Sequence, residues 1–149
     1  MPLANGLPSF PELKEGYVCF LPSVPPPMVS RIHQGLASRP TSSPWNHAAV
    51  VTRKFTGNGE ECIKFRLCTT FGNKTLQEHK NKWHWQYFLA AEGTECPQFS
   101  RNTYVNMSPN SEYTIEYKHI QLWCGNNAQT YFKGEKLRDI VGGRLQYWP

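Results

Sequence analysis

His47 is the residue whose type and setting point most directly to chemistry. An imidazole gives and takes protons near neutral pH, and the amide of Asn46 beside it is suited to fixing the ring tautomer. His47 stands just before the apolar run Ala48-Ala49-Val50-Val51. That is where a strand starts at a sheet rim and a side chain can be exposed without breaking a core. Thr69 and Thr70 close a second strand-like run, where hydroxyls donate to a ligand oxygen or cap a turn. His47, Thr69 and Thr70 are the candidate catalytic group, with Trp45 and Asn46 as ligand-binding neighbours. Against this stands the plain alternative that His47 ends a strand and bonds a loop. Cys68 is a conceivable nucleophile, but its alternating apolar neighbours give it the pattern of an inert core thiol.

A second candidate is the run Lys82-Trp83-His84-Trp85-Gln86-Tyr87-Phe88. In a strand, Trp83, Trp85 and Tyr87 share one face and His84, Gln86 and Phe88 the other. Either set could stack on a flat ligand or on bases, or both could be packed. His33 and His79 read as solvent-facing, and with His119 they show no metal-ligand spacing. Asp139 is the single aspartate, which leaves little for a carboxylate-built cation site. No metal and no cofactor are expected.

The elements that must position these residues are short. Gly16-Tyr17-Val18-Cys19-Phe20-Leu21 reads as a first strand ended by Pro22, followed by a long connection over 22–44 in which 28–36 can form one or two helical turns. Nine of the twelve prolines lie before residue 45. Residues 48–52 and 62–69 read as a hairpin around Gly57-Asn58-Gly59. Further strands are expected at 84–90, 103–107 and 113–117, with 119–124 continuing or following the last. Phe71-Gly72-Asn73 reads as a turn, and residues 135–145 as a C-terminal helix whose last turn Gly142-Gly143 should fray. The fold class is therefore mainly β: a small SH3-like antiparallel barrel over residues 16–149, after an N-terminal tail of 1–15.

Composition bounds the rest. The 149 residues suit one domain, and a mean hydropathy of −0.57 leaves no apolar run long enough for a membrane helix. Five Trp, seven Tyr and eight Phe exceed what a core of this size usually needs, so some should line a surface or pocket. Sixteen Lys and Arg against eleven acids give +5, but the cations are scattered (Arg53, Lys54, Lys64, Arg66, Lys74, Lys80, Lys82, Arg101, Lys118) and read as a solvated mixed surface. The five cysteines are odd in number and widely spaced, and no signal segment opens the chain. All five are expected as free thiols in a cytoplasmic protein.

The motifs 16–22, Trp45-Asn46-His47-Ala48-Ala49-Val50-Val51, Leu67-Cys68-Thr69-Thr70-Phe71-Gly72 and Asn102-Thr103-Tyr104-Val105-Asn106 occur in an order that resembles the PemK/MazF-type toxin barrel. They are most similar to a group of uncharacterised fungal proteins with an Asn-His-Pro-Val-Val-type motif. The resemblance covers roughly residues 16–145. It implies a partly open SH3-like barrel with a C-terminal helix, and a working cleft flanked by the loop after strand one. In the toxins an arginine before the Pro-Val-Val strand and a threonine ending the next strand cleave RNA without metal. His47 stands in the arginine's place, Thr69 or Thr70 in the threonine's, and Ala48 in the proline's. The change replaces a permanently charged fork by a partly charged ring.

Two functions follow. The first is a cofactor-free cyclase or isomerase acting on a small apolar organic molecule in a pocket roofed by the 22–44 loop, in fungal specialised metabolism. The alternative is a MazF-like protein that binds single-stranded RNA, or cleaves it with His47 in place of arginine. A homodimer is compatible with both, and no membrane partner is expected. In either case His47, with Thr69 or Thr70, should face a cleft bounded by residues 22–44.

Overall fold

The structure is a computed structural model and describes residues 9–38, 44–70, 75–91, 103–109, 111–122, 124–125 and 128–148. Its centre is the expected hairpin, β2 (His47–Gly57) and β3 (Glu60–Thr69). Asn58 and Gly59 turn it with φ of 52° and 79°. Two left-handed residues give a reversal whose twist matches that of the strands.

β1 (Val18–Leu21) lies antiparallel on the other side of β2, with Val18 opposite Val50 and Leu21 opposite His47. The two-residue β7 (Gln121–Leu122) borders β1. Along the outer edge of β3, β6 (Glu112–Glu116) pairs with Cys62 to Arg66, and β5 (Tyr104–Asn106) pairs with Cys68 and Thr69. β4 (Phe88–Ala90) lies outside β5. A small hairpin, β8 (Cys124–Gly125) and β9 (Ala128–Gln129), follows β7.

The mainly β, antiparallel reading holds, and the sheet is open rather than a closed barrel. The path β4-β5-β3-β2-β1-β7 has no ladder joining its two ends among the described residues. Two strands share one edge of β3, and β7 is too short to carry the curvature round to β4.

The sheet is covered on both faces. Cys19, Leu21, Ala49, Val51, Ile63, Phe65 and Ile115 form one core with Ile32 of α1 (Arg31–Ser38) and with Leu13. Val18, Val50, Cys68, Leu89 and Val105 form the other with Phe132 and with Ile140 of α3 (Gly134–Gly142). Residues 9–15, expected as tail, thus contribute Leu13 to the first core, and Phe10 packs edge-on to Tyr117 at 5.5 Å between centroids.

Double coverage also corrects the reading of Arg66 as a surface cation. The polar positions of an alternating strand face a second layer here, and Arg66 is buried in it. Its Nε donates to the Ile140 carbonyl at 3.1 Å and its Nη1 to Ser111 Oγ at 3.0 Å.

The strand expected from His84 begins only at Phe88; Lys82–Tyr87 is a 3-10 helix instead. It follows the single-turn α2 (Leu76–His79), whose capping box is Thr75 with Glu78. The winding brings Trp85 Nε1 to the Lys80 carbonyl at 2.9 Å and Gln86 Nε2 to that of Trp83 at 3.3 Å. An alternating strand would place neither donor there, so the shared face expected for Trp83, Trp85 and Tyr87 does not exist. The C-terminal helix does not fray at its glycines. Gly143 ends α3 at φ 67°, and the Arg144 N–H donates back to the Asp139 carbonyl at 3.0 Å. The expected turn at Phe71-Gly72-Asn73 lies outside the described residues.

Candidate functional site

Where β1 ends, the chain turns over the start of β7 and leaves a cleft of about 200 Å³. Pro22, Val24 and Pro26 form one wall; Lys118, His119, Ile120 and Gln121 form the other. Local bonds hold the proline-rich wall in place. The Ser30 N–H donates to the Pro27 carbonyl at 2.9 Å, and His33 Nε2 lies 2.9 Å from the Pro26 carbonyl. His33 is accordingly half-buried rather than solvent-facing, with its ring 6.2 Å from that of Trp45. The side chain of His79 is outside the described residues.

Glu116, at the end of β6, is the hub behind the cleft. Its buried carboxylate accepts from the Ser30 hydroxyl at 2.5 Å and from the Arg31 N–H at 3.0 Å. α1 has no acidic residue in its own first turn, and Glu116 supplies that charge from across the sheet. Arg31 Nε lies 3.7 Å from the same carboxylate, and Arg31 Nη2 donates to the Gly57 carbonyl. On the cleft side, His119 Nε2 is 3.7 Å from Glu116 Oε1. Burial alone would push the Glu116 carboxyl up. The Ser30 and Arg31 hydrogen bonds, with the His119 charge, outweigh it and hold the group below its usual range. An imidazole on the cleft wall is thus backed by a carboxylate kept in its charged form. Lys118 Nζ, at the cleft border, pairs with Glu60 at 3.2 Å.

The residues expected from sequence fall in three places. His47 is exposed at the start of β2 and Thr69 ends β3. Extending the Ala49–Leu67 register by two residues brings these two level, although β3 there turns to pair with Tyr104 of β5. Thr70 follows, half-buried. His47 lies opposite Leu21, one residue from the cleft wall at Pro22, but is not itself a lining residue. Asn46 is exposed at φ 65°, and its N–H donates to the Leu21 carbonyl at 2.7 Å. Trp45 packs against the first core, holding α1 through His33.

Trp85 and Tyr87 pack around Leu76, Phe88 and Tyr104 beside β4, at the end of the strand order away from β1 and β7. Trp83 is exposed and stacks on His84 at 3.6 Å. Burial raises the Cys19 thiol to about 12 and pushes Cys68 up as well, which removes Cys68 as a nucleophile. Cys19, Cys62 and Cys68 are free and buried; Cys96 and the Cys124 side chain lie outside the described residues.

Sequence reasoning missed Glu116 and His119 as a pair. The available signal was their spacing of three, which a 3-10 turn at Tyr117–His119 converts into proximity. Among the described residues no group of three or more His, Cys, Asp or Glu is placed to hold a metal, and no helix is long and apolar enough to cross a membrane. Comparison with protein-family models, with curated proteins and with solved structures gives no match.

Proposed function

We propose that the chain binds a small apolar organic molecule in the cleft under the proline-rich segment and moves a proton on it without a cofactor, as an isomerase or cyclase does. The observation that carries this reading is the His119 imidazole on the cleft wall with Glu116 behind it. In such a pair the ring takes a proton from the substrate, the carboxylate stabilises the imidazolium, and the ring returns the proton at a second atom. Pro22, Val24, Pro26 and Ile120 give apolar contact, and the Gln121 amide can orient a carbonyl. The volume is below the usual range for drug-sized ligands, which favours a substrate of one or two rings. His47 lies outside the cleft lining, one residue beyond Pro22, so in this reading it and the two threonines, Thr69 and Thr70, do not touch the substrate.

The RNA alternative has less support, because the cations are scattered along the chain and six of the sixteen are already engaged. Arg31, Lys54, Arg66 and Lys136 donate to main-chain carbonyls, and Lys118 and Arg144 face carboxylates. The test is deuterium uptake from D2O into a panel of small cyclic ketones such as 2-indanone. The folded protein should accelerate exchange at the carbon beside the carbonyl, and His119→Gln should lower that acceleration by roughly one hundred-fold. No acceleration over buffer, or equal acceleration by the variant, would overturn the reading.

A further inference from the structure

We infer that the outer edge of β4 is a docking groove for an extended, tryptophan-bearing segment of a partner protein, and that residues 144–148 close it as an intramolecular competitor. β4 stands at one end of the strand order, with β5 on its inner side. The Tyr87 carbonyl accepts from the Met107 N–H, and the Ala91 N–H donates to the Thr103 carbonyl, so residues 87, 89 and 91 turn their main chain toward β5. The carbonyls of Gln86, Phe88 and Ala90 therefore point out of the sheet, where a further strand would pair.

Each of these three carbonyls is met by a donor from beyond residue 133. The Gln146 N–H donates to Gln86 at 2.8 Å, Trp148 Nε1 to Phe88 at 3.1 Å, and Lys136 Nζ of α3 to Ala90 at 2.7 Å. Gln146 thus lies beside Gln86 and Trp148 beside Phe88, so the segment runs parallel to β4 and in step with it. Its burial alternates as well: Gln146 and Trp148 are half-buried, while Leu145 and Tyr147 are exposed. The Trp148 ring packs on the cluster of Leu76, Phe88 and Tyr104, with Trp85 and Tyr87 against the same cluster, and its centroid is 6.4 Å from that of Tyr104.

Extended peptides add to a sheet edge in this way, with main-chain bonds for affinity and pockets for alternate side chains for selectivity. The segment already seated shows what chemistry fits. It is a main-chain N–H followed two residues later by an indole, whose own N–H meets the next outward carbonyl. Tethering gives residues 144–148 an effective concentration in the millimolar range, so a partner enters only by outcompeting them. The groove lies at the end of the strand order opposite β1 and β7 and shares no residue with the cleft, so the inference is independent of the chemistry proposed there.

The test follows backbone amide and indole N–H signals of the isotope-labelled full chain as an acetylated peptide, Arg-Leu-Gln-Tyr-Trp, is added. Trp148→Ala should keep the circular dichroism of the parent and bind the peptide with Kd tighter than about 1 mM, its Gln86, Phe88 and Ala90 amides moving toward their positions in the parent. Ser-Ser-Gln-Ser-Trp should bind within about tenfold of that value, and Arg-Leu-Gln-Tyr-Ala at least about tenfold more weakly. The parent should bind the first peptide at least about tenfold more weakly than the variant does, with its Trp148 indole signal moving to a solvent-exposed position. Loss of the folded signal in Trp148→Ala would make the ring a core residue and overturn the inference. So would weaker binding than about 1 mM by the variant, equal binding by the parent, equal binding of the alanine peptide, a loss beyond tenfold with the serine peptide, or shifts centred elsewhere.

Discussion

At Glu116, burial and hydrogen bonding act on one carboxyl in opposite directions, and the balance sets a pH dependence. The folded-state value is depressed below the ordinary 4.5, so between the two values the unfolded chain binds more protons than the folded one. The stabilisation is fully present above about the ordinary value and is lost as pH falls through the depressed one. Glu116→Gln should therefore lower stability at pH 7 by about 1.5–3 kcal/mol, the range for hydrogen bonds to a charged group. The gap between variant and parent in urea unfolding should shrink steadily below about pH 4.5. A gap that stays constant down to pH 3 would mean that charge at Glu116 is not what holds α1. The hold of Glu116 on α1 was not legible in the sequence for a physical reason. Its partner Ser30 lies 86 residues away in the chain, and no local pattern reports a contact made only by the folded sheet. His47 was legible because a strand start is a local feature, and so is the exposure found there.

The elements divide along the same line. The hairpin of β2 and β3 was readable because Asn58-Gly59 sets its own geometry, and Pro22 marked the end of β1 through its covalent ring. The 3-10 turn at Lys82–Tyr87 was not readable, because its alternating rings fit a strand equally well and packing against Leu76 and Tyr104 decided the matter. The burial of Arg66 was hidden likewise, since its inward direction depends on α3 covering the second face. That dependence gives a paired prediction. Gly59 and Gly143 both have positive φ, 79° and 67°. A Cβ at Gly59 would meet nothing within 4 Å, whereas one at Gly143 would sit 2.7 Å from Arg66 Nη2. Gly59→Ala should cost about 1 kcal/mol of backbone strain. Gly143→Ala should cost more, roughly 2–3 kcal/mol, because the buried guanidinium must shift while keeping its bonds to Ile140 and Ser111. Urea midpoints of the two variants measure this directly, and equal losses would show that Arg66 yields without cost.

For the whole molecule, the formal charge of +5 overstates the basic surface open to a polyanion. Arg66 is buried, and Arg31 and Lys54 are bonded to carbonyls of neighbouring segments. Moving such a cation onto a phosphate would break a bond that the fold already makes, so the gain from counterion release is partly offset. Binding to a single-stranded RNA oligonucleotide should therefore be weak and show a shallow salt dependence. Fluorescence anisotropy at 50 and 200 mM salt separates the outcomes. A protein neutralising roughly five phosphates would lose about one hundred-fold in affinity over that interval, from a slope near 0.7 per phosphate on single strands. The arrangement of cations here leads us to expect less than about tenfold, with Kd weaker than about 10⁻⁴ M at the higher salt. A Kd below about 10⁻⁶ M with a hundred-fold salt effect would instead mean that free cations elsewhere on the surface form a phosphate track, and would move the function from the small-molecule cleft to RNA.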